Sequence, residues 1–127
     1  MEFCLLAAGV TVRLGTMALT LAWTHSIEKI RWEEDYRATP AGIVLMEDRV
    51  QGTGAGMEPP PDARFDGKWW RYSPHVAPLP QVILRRSGMT VGDWQVCIGG
   101  TAGAACKAMG DYLPDPKADP VTLTTCP

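Results

Sequence analysis

The residues best equipped for chemistry stand in two stretches. The first runs Trp23-Thr24-His25-Ser26-Ile27-Glu28, at the end of an alternating segment and into the turn after it. A histidine beside a serine, with Glu28 or Glu34 to orient it, is the composition of a nucleophile and its base. Adjacent residues on an extended strand point to opposite faces, so His25 and Ser26 are not placed to bond side chain to side chain. No G-x-S-x-G nucleophile elbow is present. The plainer reading is a turn whose hydroxyls satisfy backbone groups, or a histidine that contacts a ligand.

The second stretch is Gly52-x-Gly54-x-Gly56-Met57-Glu58, followed by Pro59-Pro60-Pro61. It lacks the lysine of a phosphate-binding loop, and the prolines leave no helix start. Three alternate glycines permit either a bulged, closely approached strand or a nest of backbone N–H groups for a carboxylate. Between the two stretches lie Glu28, Glu33, Glu34 and Asp35, interleaved with Lys29, Arg31 and Arg37. Most of these charges read as a solvated, ion-paired face. Glu34 differs, because alternation places it inward, where a carboxylate needs a cation or donors. Arg49 and His25 are the partners expected for it. With only His25 and His75 in the chain, neither a metal nor another cofactor is expected. Trp69, Trp70 and Tyr72 among Lys68 and Arg71 read as core packing with a cation–π contact, not as a platform for bases.

The elements that must hold these residues read as strands. Residues 17–23 alternate, with Leu19, Leu21 and Trp23 on one face and Ala18, Thr20 and Ala22 on the other. Residues 30–37 put Ile30, Trp32 and Tyr36 on one face and Arg31, Glu33, Asp35 and Arg37 toward solvent. Thr39-Pro40-Ala41-Gly42 is a turn into a strand over 43–50. Residues 5–14 and 16–23, divided at Gly15, are expected to form an earlier hairpin. Asp66-Gly67 marks a tight turn before a strand at 69–72. Shorter strands follow at 81–86 and 93–98, then one or two helical turns within 107–113 and a last strand at 121–126. About eight short strands with no long 3.6-residue period predict one all-β domain over 1–127, an antiparallel sandwich or small barrel.

Composition agrees. The 127 residues include 13 Gly and 11 Pro, too many turn formers for a helical bundle of this length, and 46% are hydrophobic, enough for a core. A net charge of -2 argues against nucleic acid as a partner. No apolar run is long enough to span a bilayer, and no export signal is visible, since Glu2 stands where basic residues would be. The cysteines point the other way, toward an oxidising, extracytoplasmic compartment such as a periplasm. Their spacing fits no zinc or redox pair, and four cysteines allow three connectivities. The favoured one joins Cys97 to Cys106 across a short Gly/Ala loop and Cys4 to Cys126 across the chain. Four buried thiols are the alternative.

The stretch from Leu21 to Asp35, with its His25-Ser26-Ile27-Glu28 element, and the stretch from Gly52 to Pro60 resemble the DUF1850 domain family. Residues 69–72 and Cys97, Cys106 and Cys126 fit as well, so the resemblance covers nearly the whole chain. It implies a small β protein of a kind often encoded beside TRAP-type transporters of the TAXI class, which import carboxylates. It implies no activity, and it marks His25, Ser26, Glu28 and Gly54, Gly56 and Met57 as shared features. The expectation is a domain that binds and does not catalyse, an accessory of a carboxylate transporter. In it His25, Ser26, Glu28, Glu34 and Arg49 face a small anion or a partner protein beside Gly54–Met57. A hydrolase using Ser26 and His25, or a purely structural interaction module, are the competing expectations.

Overall fold

In the computed structural model, residues 1–24, 30–52, 60–86, 92–99 and 106–127 are described. Eleven strands run through them: β1 (Phe3–Ala7), β2 (Val10–Arg13), β3 (Ala18–Thr24), β4 (Arg31–Thr39), β5 (Gly42–Gln51), β6 (Arg64–Phe65), β7 (Trp69–Tyr72), β8 (Val82–Leu84), β9 (Gln95–Ile98), β10 (Cys106–Ala108) and β11 (Val121–Thr125). They form two antiparallel sheets, ordered β2-β1-β11-β8 and β10-β9-β3-β4-β5-β7-β6. The fold is all-β and sandwich-like, with both sheets open at their edges.

The first departure from expectation is at the start. Residues 5–14 do not pair with 16–23. They contain their own hairpin, β1–β2, closed by Ala8 and Gly9 at φ of 50° and 76°. Two consecutive positive φ values give the two-residue turn whose twist matches its strands. The chain then crosses over, and β3 enters the other sheet. β1 instead receives β11, with Cys4 opposite Thr124, so the first and last strands lie side by side.

Alternation fills the space between the sheets. Phe3, Leu5, Leu84, Val121 and Leu123 of the smaller sheet face Leu19, Leu21, Tyr36, Ala38, Ile43 and Val96 of the larger one. A 3₁₀ turn, Met109–Tyr112, plugs the core with Met109. It is held by Asp93, which accepts from the Gly110 N–H at 2.8 Å and takes a two-pronged contact from Arg86. At the β4–β5 turn, Gly42 sits at φ 125° with the Leu79 carbonyl where a Cβ would be. Only glycine suits that position, because Ile43 and Leu79 exchange backbone bonds of 2.7 and 2.8 Å there.

The register of β4 against β5 positions the polar residues. Tyr36 lies opposite Leu45 but Asp35 lies opposite Glu47, so Met46 is an extra residue in β5. A bulge of this kind reverses the alternation beyond it. Ile43 and Leu45 share the inner face with Asp48 and Val50, while Glu47 and Arg49 turn to the outer face.

Candidate functional site: a buried carboxyl pair beside an aromatic row

Glu34 does lie inward, on the same face as Leu21 and Tyr36. Its expected pairing with Arg49 is not formed. The bulge at Met46 sends Arg49 through to the other side of the sheet, and the residue opposite Glu34 is Asp48. Two carboxyls therefore face each other on the inner face of the sheet, Asp48 only 7% exposed and Glu34 half-buried. Tyr36 donates its hydroxyl to Glu34 Oε1 at 2.9 Å. From the other side Tyr72 stands opposite Asp48 and bonds to its carboxyl.

Two like charges at this depth cannot both persist, so one carboxyl keeps its proton and donates to the other. That proton belongs to Asp48. Burial, then the hydrogen bond to Glu34 and its charge, push the Asp48 carboxyl up to about 8, against smaller opposing effects of Tyr72 and Arg49. Burial and the nearby Asp48 also push the Tyr72 phenol up to about 12. Tyr36 rises further for the same reasons, burial first and Glu34 second. The cluster is thus a set of neutral hydroxyl donors around one shared negative charge.

Two polar atoms are left over. Asp48 Oδ1 and Trp70 Nε1 are buried without a hydrogen-bond partner among the described residues. Trp70 follows Val50 in register, as Tyr72 follows Asp48, so both atoms belong to one face of neighbouring strands. Orphaned buried polar groups are uncommon and each calls for an explanation. Next to this acidic row runs an aromatic one: Trp23 opposite Trp32, Trp32 opposite Val50, Val50 opposite Trp70, and Trp70 opposite Phe65. The Trp23 and Trp32 rings are parallel, 6.0 Å between centroids, and Phe65 and Trp70 lie 5.1 Å apart. Tyr72 also lines a surface cleft of about 410 Å³ with Glu47, Asp62, Arg64, Arg71 and Ser73.

Arg49 has a different task. It is 2% exposed, and all five of its N–H donors are taken. Nε and Nη2 reach Glu33 Oε1 at 3.2 and 3.0 Å, Nη1 and Nη2 reach Asp35 at 2.6 and 2.9 Å, and Nη1 reaches Glu47 at 2.9 Å. Burial works against its charge, but bonds to Asp35 and Glu47 outweigh that and hold the guanidinium above its ordinary value. Thr20 donates to Asp35, Arg31 clamps Glu33, and Arg71 ties Glu47 to Asp66. Glu33 and Asp35 are therefore not a solvated face, since Glu33 is 5% exposed. They lie on the central strand of seven, where neighbouring strands flank them on both sides and a buried cation draws them together.

His25, Ser26, Glu28, Gly54, Gly56 and Met57 lie outside the described residues. The cysteines are placed as favoured: Cys4–Cys126 and Cys97–Cys106 are disulfides, with Cα atoms 5.0 and 4.0 Å apart. The second lies directly across the β9–β10 pair. Among the described residues, one group has metal-binding proximity, Glu2 with Cys4 and Cys126, and its two sulfurs are bonded to each other. No helix among those residues is long and apolar enough to cross a membrane. Asp48, Tyr36, Tyr72 and Trp70 were not identified as site residues by sequence. The signal for them was Glu34 itself, an inward carboxylate that required a neighbour able to share a proton.

The architecture defines a disulfide-closed antiparallel β-sandwich with an ionisable pair in its interior. Residues 19–103 match the model of a domain of unknown function, DUF1850, and the chain belongs to that family. That span contains β4, β5, β7 and all of β3 but Ala18, which together carry the whole cluster. Comparison with curated proteins and with solved structures returns no match.

Proposed function

We propose that this chain is a non-catalytic binding domain that receives a small carboxylate and serves a TRAP-type carboxylate transporter outside the reducing cytosol. The observation that carries the reading is the pair of orphaned atoms, Asp48 Oδ1 and Trp70 Nε1, set in the inner face of the family-matched strands. The Asp48 proton goes to Glu34, so Oδ1 is left as an acceptor, while an indole N–H is a donor only. One buried acceptor and one buried donor on the same face match a carboxyl group that enters with its own proton. Their burial unpaired costs stability that an apolar strand would not lose, and a bound carboxyl group offsets that cost. Two disulfides support work in an oxidising compartment.

Thermal shift at pH 6 against a panel of mono- and dicarboxylates and inorganic phosphate tests the reading. Stabilisation that rises with carboxylate concentration, as ligand linkage requires, is expected for the wild type and lost in Asp48→Leu. Absence of any shift at millimolar carboxylate would leave a purely structural interaction module as the better description. Cross-linking of the folded domain to co-expressed transporter subunits tests the association separately.

A further inference from the structure

The two disulfides differ in what surrounds their sulfurs, and the difference gives one of them a chemistry. We infer that Cys97–Cys106 is a thiol-exchange site, opened at Cys106 by an external dithiol of the C-x-x-C kind, while Cys4–Cys126 is a fixed closure. The site lies at the rim of the larger sheet and owes nothing to the Asp48 cluster.

The asymmetry begins in the strand order. β9 has β3 on one side and β10 on the other, so Cys97 stands between Thr20 and Cys106 and is 2% exposed. β10 ends the sheet, with β9 as its neighbour, and Cys106 is exposed. Val96 faces the core, so alternation puts Cys97 on the outer face, away from the smaller sheet. A cysteine on an exposed rim is open to a nucleophile, whereas one with strands on both sides is screened from it. Cys4 is fully buried on β1, between β2 and β11, and its partner Cys126 is half-buried. A Glu2 carboxylate oxygen lies within 4.8 Å of both of those sulfurs. The attacking species in disulfide exchange is a thiolate, so it meets like charge there, softened by the Arg13 that pairs with Glu2 at 2.9 Å. Residues 98–105, which join Cys97 to Cys106, include no charged residue.

In the exchange, one thiolate of the dithiol attacks the Cys106 sulfur. The sulfur–sulfur bond breaks, a mixed disulfide forms on Cys106, and Cys97 leaves as a thiolate that takes up a proton. The second thiolate of the dithiol attacks the external sulfur of the mixed disulfide and releases Cys106. Two electrons pass from the dithiol, which ends as a disulfide, to the Cys97–Cys106 pair. The sandwich survives this step because β10 is pinned at its other end. Met109 is buried and donates its N–H to the Trp94 carbonyl at 2.7 Å, and the Gly110 N–H is held by Asp93 at 2.8 Å. Opening the bond loosens the Cys106 end of β10 and leaves the core turn in place.

Brief reduction of the native chain by dithiothreitol at neutral pH, quenched by alkylation and read by peptide mass mapping, follows both pairs at once. Cys97 and Cys106 are expected to be alkylated at least about tenfold faster than Cys4 and Cys126, with the folded circular dichroism signal retained. Two variants locate the point of attack. Cys97→Ala, which leaves Cys106 as a thiol, should react with an aromatic disulfide reagent at least about tenfold faster than Cys106→Ala, which leaves Cys97. Equal rates for the two pairs, Cys4–Cys126 opening first, loss of the folded signal in step with the opening of Cys97–Cys106, or Cys97 reacting as fast as Cys106 overturns the inference. The wild-type comparison decides the matter where either variant fails to fold.

Discussion

Raising the pH through the neutral range should destabilise this domain, because the folded state holds a proton that the unfolded chain releases. The Asp48 carboxyl moves from its ordinary 3.8 to about 8 on folding. Between those values the native state binds up to one proton more than the unfolded state. Stability is then fully present below about pH 4 as far as this group is concerned, and it is lost as pH rises toward 8. One whole proton corresponds to about 1.4 kcal/mol per pH unit. With an unfolding entropy of about 2.1 cal/mol/K per residue over 127 residues, that is a fall in Tm of about 5 °C per unit. Asp66 and Asp93 have lowered values and act in the opposite direction, but only in more acidic solution, and over pH 5 to 8 the difference between the wild type and Asp48→Asn reads the Asp48 contribution. Melting followed by circular dichroism at constant ionic strength across that range measures the slope. Asp48→Asn preserves a donor toward Glu34 and removes the titration, and its Tm should be nearly flat over the same interval. A wild-type Tm that is level or rises from pH 5 to 8, or an Asn variant with the wild-type slope, would refute the shared-proton assignment.

Other perturbations test the frame around the pair. Arg49→Met should cost about 3–5 kcal/mol in urea unfolding, because it removes the buried cation shared by Glu33, Asp35 and Glu47 and leaves Glu33 to Arg31 alone; Arg49→Lys should recover little, having no planar fork. Gly42→Ala places a Cβ 2.6 Å from the Leu79 carbonyl oxygen at φ 125°, and a loss of about 2–4 kcal/mol is expected. Replacing Cys4 and Cys126 by serine should lower stability by up to about 5 kcal/mol and replacing Cys97 and Cys106 by about 3 kcal/mol, following the lengths of the two closed loops. Denatured, unreduced protein should take up no thiol-alkylating reagent, as mass spectrometry will show.

The fold class was legible because alternation is a local signal. Leu19, Leu21 and Trp23 on one face and Ala18, Thr20 and Ala22 on the other need no knowledge of neighbours. The cysteine pairing was legible because one Gly/Ala loop brings two of them together and leaves the other two. Partner choice between strands was not. That residues 5–14 fold on themselves depends on Ala8 accepting a positive φ, which an alanine does not advertise. The site was half visible: parity along β4 exposed Glu34 as inward. Its partner was hidden by one residue. Strict alternation from Ile43 brings Arg49 to the inner face beside Glu34, and the Met46 bulge removes it and delivers Asp48 instead. No residue type marks that bulge, because Met46 is 45% exposed and is selected by the geometry of the pair.

The side-by-side placement of β1 and β11 has a mechanical consequence. Cys126 donates its N–H to the Glu2 carbonyl at 2.7 Å, and its sulfur is bonded to Cys4. A pull applied to the two termini therefore travels from residue 4 to residue 126 through a covalent bridge, and the 121 residues between them carry no load. The domain behaves as a closed ring hung from one link. Tension at its ends cannot peel the sandwich apart, and in a force spectrum the intact protein should show no lengthening until that link is reduced.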